Sequence, residues 1–387
     1  MKPQITVLIQ IALIGVLCNS LAAQTKQTDS FAEYPESTSQ YLRRLHGKNV
    51  DDPPAKFAFR SDYAGGFTAW RQAARLELID LIGLGKIQDS LSSWRPSVHL
   101  DQRISEIGYT RQRGEIETEP GVKIPFWLLK PTGETTELRP LVLCAHGHDS
   151  DGWNTYSGVY RNAEHEAQTL QKDGNPGVQA VQRGYVALVP ATRGLAATTQ
   201  IPDLKGRHGN RPCRAQLMHC LLAGRTAVGE RVWDTQRLLD WALSEVDGID
   251  PSKVAMLGNS GGGVLTVYAA AIDERITVAV PSCSFSSYTS STGFLFHCDC
   301  CLVPNAQVKL GDMADIGALA APRALLSVHG RKDGLHNLPD VEQAMARVKS
   351  IYAAAEASQN FRHQWGDSGH KFYPNIMWPF IEASFIR

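Results

Sequence analysis

Residues 254–263 read Val254-Ala255-Met256-Leu257-Gly258-Asn259-Ser260-Gly261-Gly262-Gly263. Four apolar residues run into a serine framed by glycines. Val264, Leu265, Val267 and Tyr268 then follow at helical spacing. The pattern predicts a buried strand, a sharp turn and a helix. Gly258 and Gly262 leave room for the backbone to double back, which lifts the Ser260 hydroxyl above the sheet. There it stands at a helix N-terminus, where the dipole and the free N–H of Gly261 stabilise negative charge as it develops. A G-x-S-x-G string is weak evidence by itself. The plainer alternative is a glycine-rich turn with a capping serine, and the flanking strand and helix patterns argue against it.

Outward from this stretch the same strand signature recurs. Leu141 to Ala145, Tyr185 to Val189, Thr277 to Val280 and Ala324 to Val328 are short apolar runs without alternation. Strands buried on both faces look like this, and they belong to parallel sheets covered by helices. Between two of them, Val232 to Leu243 carries Leu238, Leu239, Trp241 and Ala242 as a helix face. Residues 115–118 and 124–129 flank Pro120-Gly121 and predict a hairpin. Strands are expected from about residue 104. Before them, Phe67 to Leu84 places Trp70, Ala74, Leu76, Ile79, Leu81 and Ile82 at helical spacing, with Gly83 and Gly85 as stops. Residues 24–56 are polar, with an Asp51-Asp52-Pro53-Pro54 breaker, and read as an arm on the surface. The expected fold is therefore α/β, a mostly parallel central sheet with helices on both faces, plus an N-terminal helical extension. Leu195 to Ala227 is long for a connection in such a sheet, and long connections often border sites.

A serine is a poor nucleophile unless a base takes its proton and a carboxylate orients that base. In this strand–turn–helix arrangement the acid and the histidine follow the serine in sequence. Leu325-Leu326-Ser327-Val328-His329-Gly330 is a strand ending in glycine, and Asp333 lies just beyond it. The rival Asp340 opens a helix and reads as first-turn charge. Of the histidines after Asp333, His336 shares the acid's loop and His363 sits inside the strand Phe361 to Trp365. His370 follows Gly366-Asp367-Ser368-Gly369, a loop able to carry an imidazole over the sheet. The expected catalytic set is Ser260, Asp333 and His370. The oxyanion donors are the N–H groups of Gly261 and His148, the latter in His146-Gly147-His148-Asp149 after the strand 141–145. His146 reads as a buried, hydrogen-bonded histidine. Trp153, Tyr156, Arg193 and His297 are candidate pocket residues on loops.

Lys+Arg and Asp+Glu both number 39 in 387 residues, so the net charge is zero. That leaves no electrostatic case for nucleic acid or an acidic membrane as the main partner. With 43% hydrophobic and 20% charged residues the chain is globular, which excludes wholesale disorder. Met1-Lys2, an apolar run from Ile5 to Leu17 and Ser20-Leu21-Ala22 predict a secretory signal peptide over residues 1–22. The run is about 13 residues, short of the ~20 that span a membrane. Cys18 follows it, but Leu17 is bulky where a lipobox wants a small residue. The chain is thus expected to be secreted or periplasmic, with no membrane association after cleavage. The expected organisation is 23–103 as arm and helical extension and 104–387 as the catalytic domain.

These pieces together resemble the α/β-hydrolase superfamily. More narrowly, they look like the secreted bacterial dienelactone-hydrolase and acetyl-xylan-esterase-like group. The carrying residues are His146-Gly147-His148, Arg193-Gly194, Arg231-Val232-Trp233-Asp234, Gly258 to Gly263, Ala321-Pro322-Arg323, Asp333 and Gly369-His370-Lys371-Phe372-Tyr373. The resemblance covers residues 104–387. It implies hydrolysis of carboxylic esters, often acetyl groups on carbohydrates, with no cofactor. The acyl group, the alcohol and the oligomeric state stay open. A serine peptidase of the prolyl-oligopeptidase type is the alternative; such enzymes gate the site with a propeller, and only about 80 residues precede the hydrolase region after the signal. A non-catalytic binding protein on a decayed hydrolase is the second alternative, opposed by three triad residue types in order.

His297-Cys298-Asp299-Cys300-Cys301 is the densest ligand cluster. A zinc site usually shows two Cys or His pairs at x2 to x4 spacing; only one cramped cluster is visible and Cys213 and Cys220 would have to supply the rest, so no metal is expected. Secretion permits disulfides among Cys213, Cys220, Cys283, Cys298, Cys300 and Cys301, with connectivity left open. Cys144, mid-strand, reads as a buried thiol.

Overall fold

The computed structural model describes residues 34–47, 52, 54–133, 135–209 and 211–386. The expected signal peptide and part of the arm lie outside the described residues. Ten strands form one sheet in the order β1-β3-β4-β6-β5-β7-β8-β9-β10, with β2 (Ile104–Glu106) paired to β3. The hairpin is β3 (Tyr109–Glu119) and β4 (Val122–Pro131), with Ile116 opposite Ile124. β5 (Arg139–Ala145), β6 (Val186–Pro190), β7 (Ile249–Asn259), β8 (Val278–Ser282), β9 (Ala324–Gly330) and β10 (Phe361–Gly366) are mutually parallel. β1 (Ser97–Leu100) pairs antiparallel with β3, so strands begin at Ser97 rather than near 104.

The apolar runs are continuous because each strand feeds two cores. Leu141, Leu143 and Ala145 point to one face, and Val142 and Cys144 to the other. Val254 and Met256 face the first core, Ala255 and Leu257 the second. This period-2 division is what a strand imposes when both faces are covered. Helices Gly66–Leu81, Ala227–Glu245, Gly261–Ile272 and Leu338–Ala354 cover the first face. Helices Gly152–Tyr156, Pro176–Gln182 and Pro374–Ile386 cover the second.

The early helix runs Gly66–Leu81 and buries Trp70, Ala74 and Leu78 in the same core as the central helices. Leu76, counted on its apolar face by spacing, is instead 62% exposed. Gly83 does end that segment, with φ +73, and a Cβ there would lie 2.8 Å from the Gly224 carbonyl oxygen. Gly85 is no stop: it sits inside the next helix, Leu84–Ser90. Part of the polar arm is ordered as the helix Glu36–Leu45, with Glu36 paired to Arg43 at 2.8 Å. The long stretch after β6 is interrupted by the helix Pro212–Leu222. Among the described residues no helix is long and apolar enough to cross a membrane.

The chain goes from β5 to β6 on one side, then returns to place β7 on β5's other side. The carboxyl ends of β5 and β7 therefore flank a topological switch point, the crevice where open α/β sheets bind ligands.

The two faces of helix Gly66–Leu81 give a direct check. Trp70 is fully buried and its Nε1–H donates to the Phe57 carbonyl at 2.8 Å. Trp70→Ala is expected to destabilise the chain by ~3–5 kcal/mol. Leu76→Ala is expected to stay within about 0.5 kcal/mol. Urea unfolding of the two variants reads the difference.

Candidate active site

β7 ends at Asn259, a helix begins at Gly261, and Ser260 between them has φ +56 and ψ −126. A non-glycine residue at such angles is strained and persists only where its surroundings enforce it. The enforcement is visible in the glycines. A Cβ on Gly262 would lie 2.0 Å from the Ala145 carbonyl oxygen, and one on Gly258 would lie 2.3 Å from the Gly262 carbonyl oxygen. The Ser260 N–H donates to the Ser282 carbonyl at 3.0 Å, fixing the tip to the end of β8.

The loop after β5 leans on this tip. A Cβ on Gly147 would lie 3.0 Å from Ser260 Cβ and 3.1 Å from the Gly261 nitrogen. Among the described residues the backbone N–H groups of Gly261 and His148 meet no acceptor. His146, fully buried, anchors the loop: its Nε2 accepts from the Thr192 N–H at 2.9 Å and its Nδ1 faces the Gly147 carbonyl at 2.9 Å. Burial pushes its pKa down to about 4, against the opposing Gly147 hydrogen bond, so the ring is neutral.

Asp333 follows β9. Its Oδ1 accepts the Leu335 N–H at 3.0 Å and its Oδ2 lies 2.7 Å from His370 Nδ1. A carboxylate only accepts, so the proton of that bond sits on Nδ1 and Nε2 is left as a base. Burial raises the Asp333 pKa, but the hydrogen bond and charge of His370 and the Leu335 N–H outweigh it and hold it below 3.8. Ser282 links this pair to the serine. Its carbonyl takes the Ser260 N–H, and its hydroxyl donates to the Lys371 carbonyl at 3.3 Å, next to His370. Asp340 is buried in the first turn of Leu338–Ala354, as its position predicts. His363 lies in β10 with Nε2 3.3 Å from His329 Nδ1, away from Asp333's hydrogen bond.

A pocket of about 840 Å³ opens over Ser260 and Gly261. Its walls include His148, Leu195, Phe296, His297 and His336. The long segment after β6 contributes Leu195, Gln200 and Arg211, so it does border the site.

Of the four candidate pocket residues only His297 lines this cavity. Trp153 is buried in the second core, stacked on Trp127 at 6.0 Å. Tyr156 is packed edge-on against Phe372 at 5.4 Å in that same core. Arg193 is buried in a charge network: it donates to Asp234 Oδ2 at 2.8 Å, Glu119 Oε1 at 2.6 Å and Thr118 Oγ1 at 3.0 Å. Arg225 adds a bond to Glu119 at 2.7 Å. The Arg193 guanidinium thus holds the loop after β6 and does not line the pocket. The Arg231-to-Asp234 stretch is the other half of that clamp, since Arg231 Nε donates to the Arg193 carbonyl at 2.8 Å.

Seven cysteines are described and all are free thiols. Burial pushes the Cys144 thiol far up, as a mid-strand position implies. Cys213, Cys298 and Cys300 converge on the His148 ring, and His148 is the member of this group that sequence spacing did not suggest. Cys283, with φ +49, lies beside Asp333 and His370 and was also missed. A G-x-S-x-G signal carries no information about the residue under the histidine.

No protein-family model matches the chain. It is 29% identical over 256 residues to a candidate hydrolase, YtaP, of Bacillus subtilis (strain 168), which covers 64% of this chain and 78% of that protein. It is 25% identical over 268 residues to an uncharacterised peptidase, YuxL, of the same organism, covering 65% of this chain but only 35% of that protein. It is similar in structure to a candidate acetyl xylan esterase from Bacteroides fragilis, with a TM-score of 0.63, 16% identity, and coverage of 89% of this chain and 83% of that one. The fold is that of the α/β-hydrolases.

His336 of the pocket wall packs together with His329 and His363, with ring centroids of His336 and His363 6.0 Å and 5.3 Å from that of His329. His297, Asp333, His370, Arg331 and Trp365 surround them. Burial pushes His336 and His363 down to about 4, with the charges of His370 and Arg331 adding to the effect. Their unfolded value is near 6.5, so the unfolded chain binds more protons. The stabilisation is complete above pH 6.5 and is lost as pH falls from there towards 4. The urea midpoint is expected to drop across that window, and His336→Gln is expected to flatten the drop. An unchanged pH slope in His336→Gln would exclude His336 as a source.

Proposed function

We propose that this chain is a serine hydrolase of carboxylic esters, acting on short acyl esters of carbohydrates or related alcohols. The observation that carries the reading is the 2.7 Å Asp333–His370 bond, on loops that Ser282 ties to the Ser260 turn. Ser260 attacks the ester carbonyl while His370 Nε2 takes its proton. Asp333 holds the imidazole in the required tautomer and stabilises the imidazolium. The N–H groups of Gly261 and His148 receive the oxyanion. His370 then protonates the leaving alcohol, and water hydrolyses the acyl-enzyme. The similarity in structure to a candidate acetyl xylan esterase supports the ester class, and the N-terminal sequence supports export. The match to YuxL favours amide hydrolysis as the second reading.

Ser260→Ala and His370→Ala are each expected to lower ester turnover by ~10⁴-fold or more with folding intact. Asp333→Asn is expected to reduce kcat strongly through the wrong tautomer, while Asp340→Asn leaves it nearly unchanged. Near-normal activity of Ser260→Ala would sink the assignment.

Substrate class is read from kcat/KM on acetyl, butyryl and octanoyl esters and on a proline peptide amide. Acetyl esters are expected to lead, with activity falling beyond about four acyl carbons and little amide cleavage. A preference for octanoyl esters would replace the short-acyl reading, and a preference for the amide would replace the esterase reading.

A further inference from the structure

We propose that His148, Cys213, Cys298 and Cys300 bind a zinc ion in the wall of the pocket. The ligands come from three distant parts of the chain. His148 stands on the loop after β5. Cys213 is in the first turn of Pro212–Leu222, and Cys298 and Cys300 belong to the tight turn around Asp299–Cys301. One ring nitrogen and three sulfurs meet there, all within 4.8 Å of one another.

Three of the six edges of the group are close to those of a coordination tetrahedron. Cys298 Sγ is 3.8 Å from Cys213 Sγ and 3.8 Å from Cys300 Sγ. His148 Nε2 is 3.2 Å from Cys300 Sγ. Zn–S bonds of ~2.3 Å and a Zn–N bond of ~2.0 Å at tetrahedral angles give edges of ~3.8 Å between sulfurs and ~3.5 Å between sulfur and nitrogen. Covalent sulfurs would stand at ~2.05 Å. Cys301 is 3.9 Å from Cys300 Sγ but lies outside the set of four.

Charge supplies an independent argument. Arg231 is 2% exposed, and its guanidinium donates to the Arg193 carbonyl at 2.8 Å, the Cys300 carbonyl at 3.2 Å and Gln216 Oε1 at 3.3 Å. Among the described residues no carboxylate forms an ion pair with it. A buried cation without a counter-charge is costly. Zinc with three thiolates and a neutral imidazole carries a net charge of −1, placed beside that guanidinium. Binding displaces three thiol protons and changes no oxidation state. Thiolate and imidazole donors favour zinc over the harder magnesium and calcium ions, and four protein ligands make a closed, structural site.

The metal would join the β5 loop to the two segments that form the opposite wall. Because the His148 N–H is the proposed second oxyanion donor, the ion would also position that donor; this consequence alone rests on the esterase reading.

The test uses the full chain, dialysed against metal-free buffer and analysed for metal, with thiols counted in denaturant with and without a chelator. About one tightly held zinc per chain is expected, with three thiols becoming reactive only when the chelator is present. Cys213→Ser and Cys300→Ser are expected to lower zinc content about tenfold or more, and Cys220→Ser is expected to retain it. Should those variants fail to fold, cobalt substitution of the unaltered chain reads the site directly, through a thiolate-to-cobalt charge-transfer band and intense tetrahedral ligand-field bands. Ser260→Ala is expected to keep its zinc, which separates failure of the esterase reading from failure of this one. A metal-free chain with all thiols reactive overturns the proposal. So does a disulfide between any two of Cys213, Cys298 and Cys300 in peptide mapping.

Discussion

The close approach of Gly262 to the end of β5 is the contact on which the site depends. With the Cα of Gly262 set against the Ala145 carbonyl, the chain leaves β7, turns through one strained residue and starts a helix inside a single layer of the sheet. Any side chain at residue 262 would push the helix away from β5. Ser260 would then lose its position over the switch point, and Gly147 would lose its contact with the turn. The cost of the positive φ at Ser260 is met by bonds made elsewhere, chiefly the N–H to Ser282. Ser282 matters twice, because its hydroxyl holds the backbone beside His370.

A second constraint works on the opposite wall. Arg193 and Arg225 share Glu119, and Arg193 also takes both oxygens of Asp234. Salt bridges on a surface contribute little, but these groups are buried, and removing one partner strands the other charge at a cost of about 3–5 kcal/mol. The network binds the hairpin β3–β4, the loop after β6 and the helix Ala227–Glu245 into one unit. Leu195, two residues from Arg193, therefore reaches the pocket from a rigid base. Arginine and tryptophan in the stretch 231–234 have structural work here: Trp233 Nε1–H donates to the Thr118 carbonyl at 2.9 Å.

The strands, the turn and the hairpin were legible in the sequence because each is written in neighbouring residues. Apolar runs mark strands buried on both sides, and glycines mark the turn. Asp333 and His370 were legible through order along the chain, as residues on loops that follow strands. The structure sets their side chains 2.7 Å apart. The pocket wall was not legible. Trp153, Tyr156 and Arg193 sit on loops in sequence, yet whether a loop residue faces a cavity or a core is decided by partners such as Trp127, Phe372 and Asp234 that lie far away in the chain. Leu76 failed for a similar reason, since the face of helix Gly66–Leu81 is set by where Trp70 and Leu78 find the core. Cys213 was legible as a possible supplement to the 297–301 cluster, but the approach of His148 was not, because the loop after β5 lies some 150 residues away in the chain.

His148 lies where the serine turn and the sulfur cluster meet. Its backbone N–H meets no acceptor among the described residues, while its ring lies against Gly261 and ends 3.2 Å from Cys300. The ring could not lie there if residue 261 carried a side chain, since a Cβ would fall 2.9 Å from His148 Nδ1. Gly261 is thus required twice, by the turn that carries Ser260 and by the ring beside it. A loop held only by backbone contacts would leave its N–H free to drift, and an oxyanion donor displaced by a fraction of an ångström loses much of its value. Anchoring the side chain would remove that freedom, and this is what the proposed zinc ion would add to the proposed oxyanion donor. The sulfur cluster and the serine turn are therefore parts of one construction, in which the far side of the pocket fixes the geometry of the near side.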